Sequence, residues 1–472
     1  MATARGRLPY VNKDYESIRE ELLSRIPQLT DRWTDFNASD LGVVLLELFS
    51  GIADMLAYYI DAQAAECYLP TARQRPNVIN LCSLIDYRLH GPVAASTKVA
   101  FALAEPLAQD ILVPAGTALR APDAVTPVPF VTAKDLTILA GSAAGEVDAI
   151  QGESVSEVFT GTGEPVAKIA LARTDVAQGS VKVTVAGSLW QEVAHFADSG
   201  PEDSHFRLEM DGIDRVSVVF GDGLCGAYPR EAAEIAVSYL VTLGPDGNLA
   251  PHRVNEMVST IYASDNTQVQ FTIDNTIPAS GGAERESADH AKATAPAVLR
   301  STWKAVTRDD YAALCLSFPG VAKAQVVDIN NDPSLRIYTV RICIAPEGGG
   351  LPSPMLKEQL SDFLEARRLL TIDAGIIDPL YVSVSVSALL YIYPGEDAEE
   401  VKRRAKDALD ARFAFDSQNF GSPIYLSDLV AILDGVQGVS HVVLRQPATD
   451  IITGFKEIPT LATVTLDTQV VR

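Results

Sequence analysis

Six histidines would have to supply any metal or general-base centre in this chain, and their spacing supplies neither. His90, His195, His205, His252, His290 and His441 stand apart, with no HExxH pair to share one helical face and one ion. His195 and His205 come closest and bracket Asp198, Glu202 and Asp203, a composition that polar surface loops share. Nucleophilic chemistry lacks its GxSxG elbow, and phosphate chemistry lacks a GxxxxGK loop. Gly348-Gly349-Gly350 has no spaced glycines for a dinucleotide turn and reads as a flexible connection. Carboxylates are plentiful, but abundance pairs no acid with a base. In Val219 to Gly226, the compact glycine-rich element, Asp-Gly at the end of an alternating strand offers the positive φ of a tight turn. A lone Asp has too few oxygens for a cation, so Gly221, Asp222 and Gly223 are expected to be a structural turn. No catalytic residue, cofactor site or metal site is expected.

The spacing that does stand out is apolar. Leu41, Leu45, Leu48, Ile52, Met55 and Tyr59 recur every four and three residues, a heptad seam that keeps one edge of a helix toward a partner helix. Val44, Phe49, Leu56 and Ile60 flank the seam and widen it beyond the need of a two-stranded coil, so neighbours are expected on more than one side. The partner is either another chain or the rest of this domain. Asn37-Ala38-Ser39-Asp40 supplies cap residues, and Pro70 closes the helix. Before it, Tyr15, Ile18, Leu22 and Ile26 make one stripe that Pro27 should end, and a short helix is expected over Asn77 to Tyr87.

Formal charge and cysteine usage narrow the function classes. The net charge of −23 repels phosphate backbones, so no nucleic-acid partner is expected. That charge is uneven: residues 1–92 carry −3 and the remainder −20, and a nearly neutral start suits a surface shared with other chains. Cys67, Cys82, Cys225, Cys315 and Cys343 are scattered without a CxxC, as expected of buried small apolar residues in a chain that folds in a reducing cytoplasm. Met1 to Tyr10 has no apolar core for a signal peptide, and Glu47, Asp54 and Asp61 argue against membrane insertion of the seam helix.

Downstream the period changes. Val99/Phe101/Leu103, Val181/Val183/Val185, Val216/Val218/Phe220 and Ile235/Val237/Tyr239/Val241 alternate with turn residues between them, the pattern of one or two antiparallel β domains. Gly141 to Gly163 reads as a loop or an insertion between sheets. From Gly281-Gly282 the pattern mixes helix and strand. Thr307-Arg308-Asp309-Asp310 is a capping box, Ser353-Pro354 starts a helix, and Val382 to Ser387 alternates apolar with hydroxyl. Helices at Asp397 to Phe413 and Leu426 to Leu433 precede strands at Val439–Leu444 and Ala462–Leu466. The expected fold is multidomain α+β: an N-terminal helical segment (1–92), a central antiparallel β-rich region (93–280), and a C-terminal pair of small α+β sandwich domains (281–395 and 396–472).

Four places together resemble the baseplate J-like family of contractile phage tails and related injection machines. They are Asp14-Tyr15 to Ile26 with Asp40-Leu41-Gly42 through Tyr87-Arg88-Leu89; Phe220-Gly221-Asp222-Gly223 with Gly226 and Pro229; Gly281 to Glu286 followed by Ala295-Pro296, Leu299-Arg300, Ala305 to Tyr311 and Phe318-Pro319-Gly320-Val321; and Phe420-Gly421 with Ser427 and Gly438-Val439. The third place is the most diagnostic. The resemblance implies a non-enzymatic wedge subunit in a six-fold ring around the hub and spike, beneath the sheath, assembled in the bacterial host cytoplasm and residing in the baseplate of a virion tail or injection particle. It also implies that Leu41, Leu45, Leu48, Ile52, Met55 and Tyr59 face a bundle with other wedge subunits and a second copy of the chain. The region from about Asp397 would hold ring contacts. The rival readings are a receptor- or glycan-binding tail appendage, which would show exposed aromatics such as Trp190 and Tyr228 on its β loops, and a carbohydrate-cleaving virion enzyme.

Overall fold

The computed structural model describes residues 11, 13–122, 126–263, 267–301 and 304–471. They form two compact units. One holds residues through Leu89 with the short segments Asp211–Ile213 and Ser287–Ala295, and the other holds the rest. The architecture is the multidomain α+β one expected, with N-terminal helices, a β-rich centre and α+β segments at the end.

In the helical unit, α1 (Tyr15–Leu29) opens on a capping box. Ser17 N donates to the Asp14 carboxylate at 2.9 Å, while Asp14 N donates to Ser17 Oγ at 2.9 Å. Pro27 lies inside α1 and does not end it. So close to the C-terminus, the helix absorbs a missing donor and runs one more half-turn. Asp40 caps α2 (Leu41–Glu66) by accepting from Gly42 N at 2.9 Å and Val43 N at 3.2 Å. Gly42 makes room for Trp33, since a Cβ there would fall 2.2 Å from its ring and would have to displace it. At the far end the Glu66 carboxylate accepts from Arg73 N, Gln74 N and Asn77 Nδ2, which fixes α3 (Arg75–Ser83) on α2. This third helix is shifted upstream of the expected Asn77 to Tyr87, because Pro76 is tolerated in its first turn.

The second unit begins with two sheets. A six-stranded antiparallel sheet runs in the order Glu256–Met257, Ala118–Ala121, Val128–Thr132, Ala144–Gln151, Ser96–Ala102, Thr272–Asn275, over a core that includes Val99, Phe101, Phe130 and Ile273. A seven-stranded sheet runs Glu153–Thr160, Glu234–Val241, Lys182–Val185, Ser188–Glu192, His205–Met210, Val216–Phe220, Lys168–Ala170, over Val183, Phe206, Val218 and Val237. The stretch Gly141 to Gly163, expected as a loop, is mostly strand. Ala144–Gln151 lies in one sheet and Glu153–Thr160 in the other. Gly152, with φ +150°, switches between them where a Cβ would sit 3.1 Å from the Val241 carbonyl. Gly, Ser and Glu composition hid two half-exposed strands.

A further helix, α4 (Ala288–Ser301), is one the sequence reading did not anticipate; it carries Pro296 within it. Beyond it, α5 (Arg308–Leu316) starts at the Thr307/Asp310 box and packs with α6 (Pro354–Glu365) in a core of Tyr311, Leu314, Ile342 and Leu360. Its sheet orders Val321–Val327, Thr339–Pro346 and Asp373–Ile377. In the last sheet Leu380–Ile392, which precedes the division expected at 395/396, is the central strand, flanked by antiparallel Val439–Gln446 and parallel Glu457–Val470. Helices α7 (Ala398–Phe413) and α8 (Leu426–Asp434) lie against it, burying Val401, Leu409 and Leu433 on Val384, Val386 and Leu390. The strand expected at Ala462–Leu466 extends to fourteen residues.

Candidate partner-binding face

The long helix α2 is built inside out. Val43, Ser50 and Ala57 are its buried residues, seven apart, and all are small. Small side chains on this stripe suit close approach of α1, and Ile18 and Leu22 of α1 line a shallow groove with Ala53, Ala57 and, from the edge of the outer face, Leu56 and Ile60. Ser50 Oγ donates to the Leu46 carbonyl at 2.8 Å, so the buried hydroxyl is satisfied within the helix. Arg19 of α1 donates to Glu47 at 3.0 Å on the same side.

The six seam residues lie on the other side and all are exposed, from 48% for Leu45 to 73% for Leu41. Val44, Phe49, Leu56 and Ile60 are exposed beside them. At 3.6 residues per turn, these ten side chains sweep an arc of about 160°, twice the seam alone. Tyr58 is exposed too, and its ring meets that of Tyr59 edge-on at 5.8 Å. Contiguous exposed apolar patches of this size are uncommon on monomeric soluble proteins. Fully burying one such side chain contributes about 1.5–3 kcal/mol. By length and composition, α2 is also the described helix that could cross a bilayer. Glu47 and Asp61, however, are engaged on the protein side: Glu47 with Arg19, and Asp61 accepting from Val11 N at 2.7 Å.

The sequence pattern found the exposed seam but missed the buried stripe, whose signal is Val43, Ser50 and Ala57 at intervals of seven. Small residues contribute little to hydrophobic periodicity, so the large ones dominated the reading.

The other residues singled out fall elsewhere. Asp222 accepts from Leu224 N at 2.8 Å and Cys225 N at 2.7 Å, and these backbone donors hold its carboxyl below the usual carboxylate range. Gly223 N donates to Gly226 O at 2.9 Å, and a Cβ on Gly221 would lie 2.1 Å from that oxygen. Gly221, Asp222 and Gly223 thus have the geometry of a closed turn. His205 Nδ1 is 2.9 Å from Ser199 Oγ, and no group of three His, Cys, Asp or Glu side chains placed to hold a metal occurs among the described residues. Trp190 is buried edge-on against Phe220 at 5.2 Å, so it is not an exposed loop aromatic, and Tyr228 is partly buried. Cys82, Cys315 and Cys343 are buried as expected, with Cys315 and Cys343 each pushed up to about 12 by burial, whereas Cys67 and Cys225 are exposed.

Three family models match in chain order. Residues 14–84 match the bacteriophage baseplate protein N-terminal domain, 304–376 the baseplate J-like central domain, and 384–467 the baseplate J-like protein C-terminal domain. The first points to the class, a baseplate protein, and over the three matched segments the chain is similar to the baseplate J-like family. No curated protein matches it. Among solved structures it is similar to the six-fold symmetrised baseplate of the anti-feeding prophage, at 14% identity over 96% of this chain and 95% of that one, with a TM-score of 0.35. It is also similar to the TssK-TssF-TssG baseplate subcomplex of a type VI secretion system, at 8% identity over 71% and 96%, with a TM-score of 0.29.

Proposed function

We propose that this baseplate protein is a non-enzymatic wedge subunit of a contractile tail or injection machine. It joins other wedge subunits and a second copy of itself in a six-fold ring that surrounds the hub and spike and meets the sheath above. The particle assembles in the host cytoplasm. The observation that supports this reading is the exposed arc on α2, which carries Leu41, Leu45, Leu48, Ile52, Met55 and Tyr59 away from the packing of its own unit. The heptad spacing of that arc fits long partner helices, and its width of about 160° exceeds the single stripe that one partner covers. The engaged carboxylates on the opposite side favour a helical bundle over a bilayer, which would have to solvate every face of an isolated helix.

Mixing the purified chain with the other baseplate proteins of its source tests the reading. Stable co-complexes are expected, with Leu48→Asp and Ile52→Asp abolishing them while the far-ultraviolet circular dichroism stays unchanged. Assembly that survives both substitutions overturns it, as does partitioning of the parent chain into vesicles in place of assembly.

A further inference from the structure

Where its two large sheets meet α6, the second unit encloses a cavity of about 800 Å³, within the size range of ligand sites. No residue of α2 lines it, so its occupant is a separate question from assembly.

Two buried hydroxyls mark its wall. Ser96 and Ser353 line the cavity at 7% and 4% exposure, with their Oγ atoms 2.7 Å apart. Ser353 Oγ also accepts from Leu356 N at 3.2 Å, as the cap of α6. Two hydroxyls carry two protons, and a single proton lies between them. Whichever donates, the other O–H has no acceptor among the described residues. A buried donor left unpaired is costly, and an oxygen atom placed in the cavity would satisfy it.

Further groups around this pair are unused. Gln178 accepts from Gly91 N at 2.9 Å through Oε1, and its NH2 has no acceptor among the described residues. Gln359, four residues on from Met355 along α6, makes no side-chain hydrogen bond among them either. The fully charged side chains of the lining are Lys182 and Asp362, one of each sign, so the wall is neutral overall. Phe318 and Phe363, with ring centroids 5.2 Å apart, make part of it apolar.

This inventory selects a ligand chemistry. A peptide main chain is commonly recognised along a free strand edge. Val128–Thr132 and Glu234–Val241, which line the cavity, lie inside their sheets, and the edge strand Glu153–Thr160 reaches it only through Ser154. Recognition therefore falls to separate hydroxyl and amide side chains beside an aromatic wall. A molecule with hydroxyls along its edge and C–H groups on its face matches both. We propose that the cavity binds a neutral saccharide, whose hydroxyls bond to the Ser96–Ser353 pair, Gln178 and Gln359 and whose C–H face lies on Phe318 and Phe363. The site does not depend on the wedge reading.

The test titrates the full chain with maltotriose, cellotriose and chitotriose by isothermal calorimetry, with N-acetyl-triglycine amide as a neutral peptide for comparison. At least one trisaccharide is expected to bind, and more tightly than the peptide. Gln359→Ala, at an exposed position of α6, is expected to weaken that binding about tenfold with the far-ultraviolet circular dichroism unchanged. Ser238→Trp, which fills the cavity from the seven-stranded sheet, is expected to abolish it. No binding by any of the trisaccharides, or binding indifferent to both substitutions, overturns the proposal. Tighter binding of the peptide overturns the saccharide as occupant.

Discussion

Helices α2 and α7 are both amphipathic, and they solve opposite problems. Val401, Ala405, Leu409 and Phe413 of α7 recur every fourth residue and are buried on the C-terminal sheet. Its outer face is a ladder of ion pairs, Arg403 with Glu400 at 2.7 Å and with Asp407 at 3.1 Å among them. Its large residues stabilise its own domain. The long helix α2 buries Val43, Ser50 and Ala57 and leaves most of its larger apolar residues exposed. A helix that leaves most of its large apolar residues exposed within its own unit has the face that the proposed bundle would use. Periodicity therefore says which residues share a face, and residue size on the buried face says whether that packing is the final one.

Substitutions on the two helices should separate these roles, and the largest effect belongs to α7. Leu409→Ala is expected to lose about 2–5 kcal/mol of stability, read by denaturant unfolding, because it opens a cavity among Val386, Leu390 and Leu433. A loss below 1 kcal/mol would mean that the C-terminal sheet does not depend on this helix.

Ser50→Leu should come next. The larger side chain would be forced into a fully buried position on α2, with a cost of about 1–3 kcal/mol. Unchanged stability would show that α1 is not seated on that stripe.

Glu66 gives a pH signature. Burial pushes its carboxyl up, but the hydrogen bonds from Asn77, Arg73 N and Gln74 N and the charge of Lys292 outweigh it, and the folded group sits below its ordinary 4.5. A carboxyl depressed in the folded state contributes stability above its unfolded value and loses it as pH falls through the folded one. Thermal unfolding of the parent chain should therefore fall more steeply than that of Glu66→Gln as pH drops below about 4.5. Parallel curves would refute the role of Glu66 in holding α3.

The smallest effect on stability should come from Leu48→Asp, within about 0.5 kcal/mol, because Leu48 is exposed in the free chain. Under the proposed function its consequence falls on assembly. A large destabilisation would mean that the ridge is covered in the free protein after all.

The Asp40 cap, the Thr307/Asp310 box and the alternating strand around Val382 were legible because each depends on residues close in the chain. The seam was legible too, since a heptad is a local pattern. Gly141 to Gly163 was not, because its two strands are held by distant partners, Ser96–Ala102 and Glu234–Val241, whose pairing outweighs a weak local preference. Nor was Trp190, which reads as a surface aromatic until Phe220 meets it edge-on.

By itself the amino-acid order determined the succession of helix, sheet and mixed segments, the resemblance to baseplate proteins, and which apolar residues share a face on α2. Only the tertiary structure decided which face of that helix is covered, because burial is a property of neighbours, and Ala57 shares its groove with Ile18 and Leu22 of α1, a separate element. It also decided that the last strand ends the sheet with one edge open, since an edge exists only once the order of strands is known.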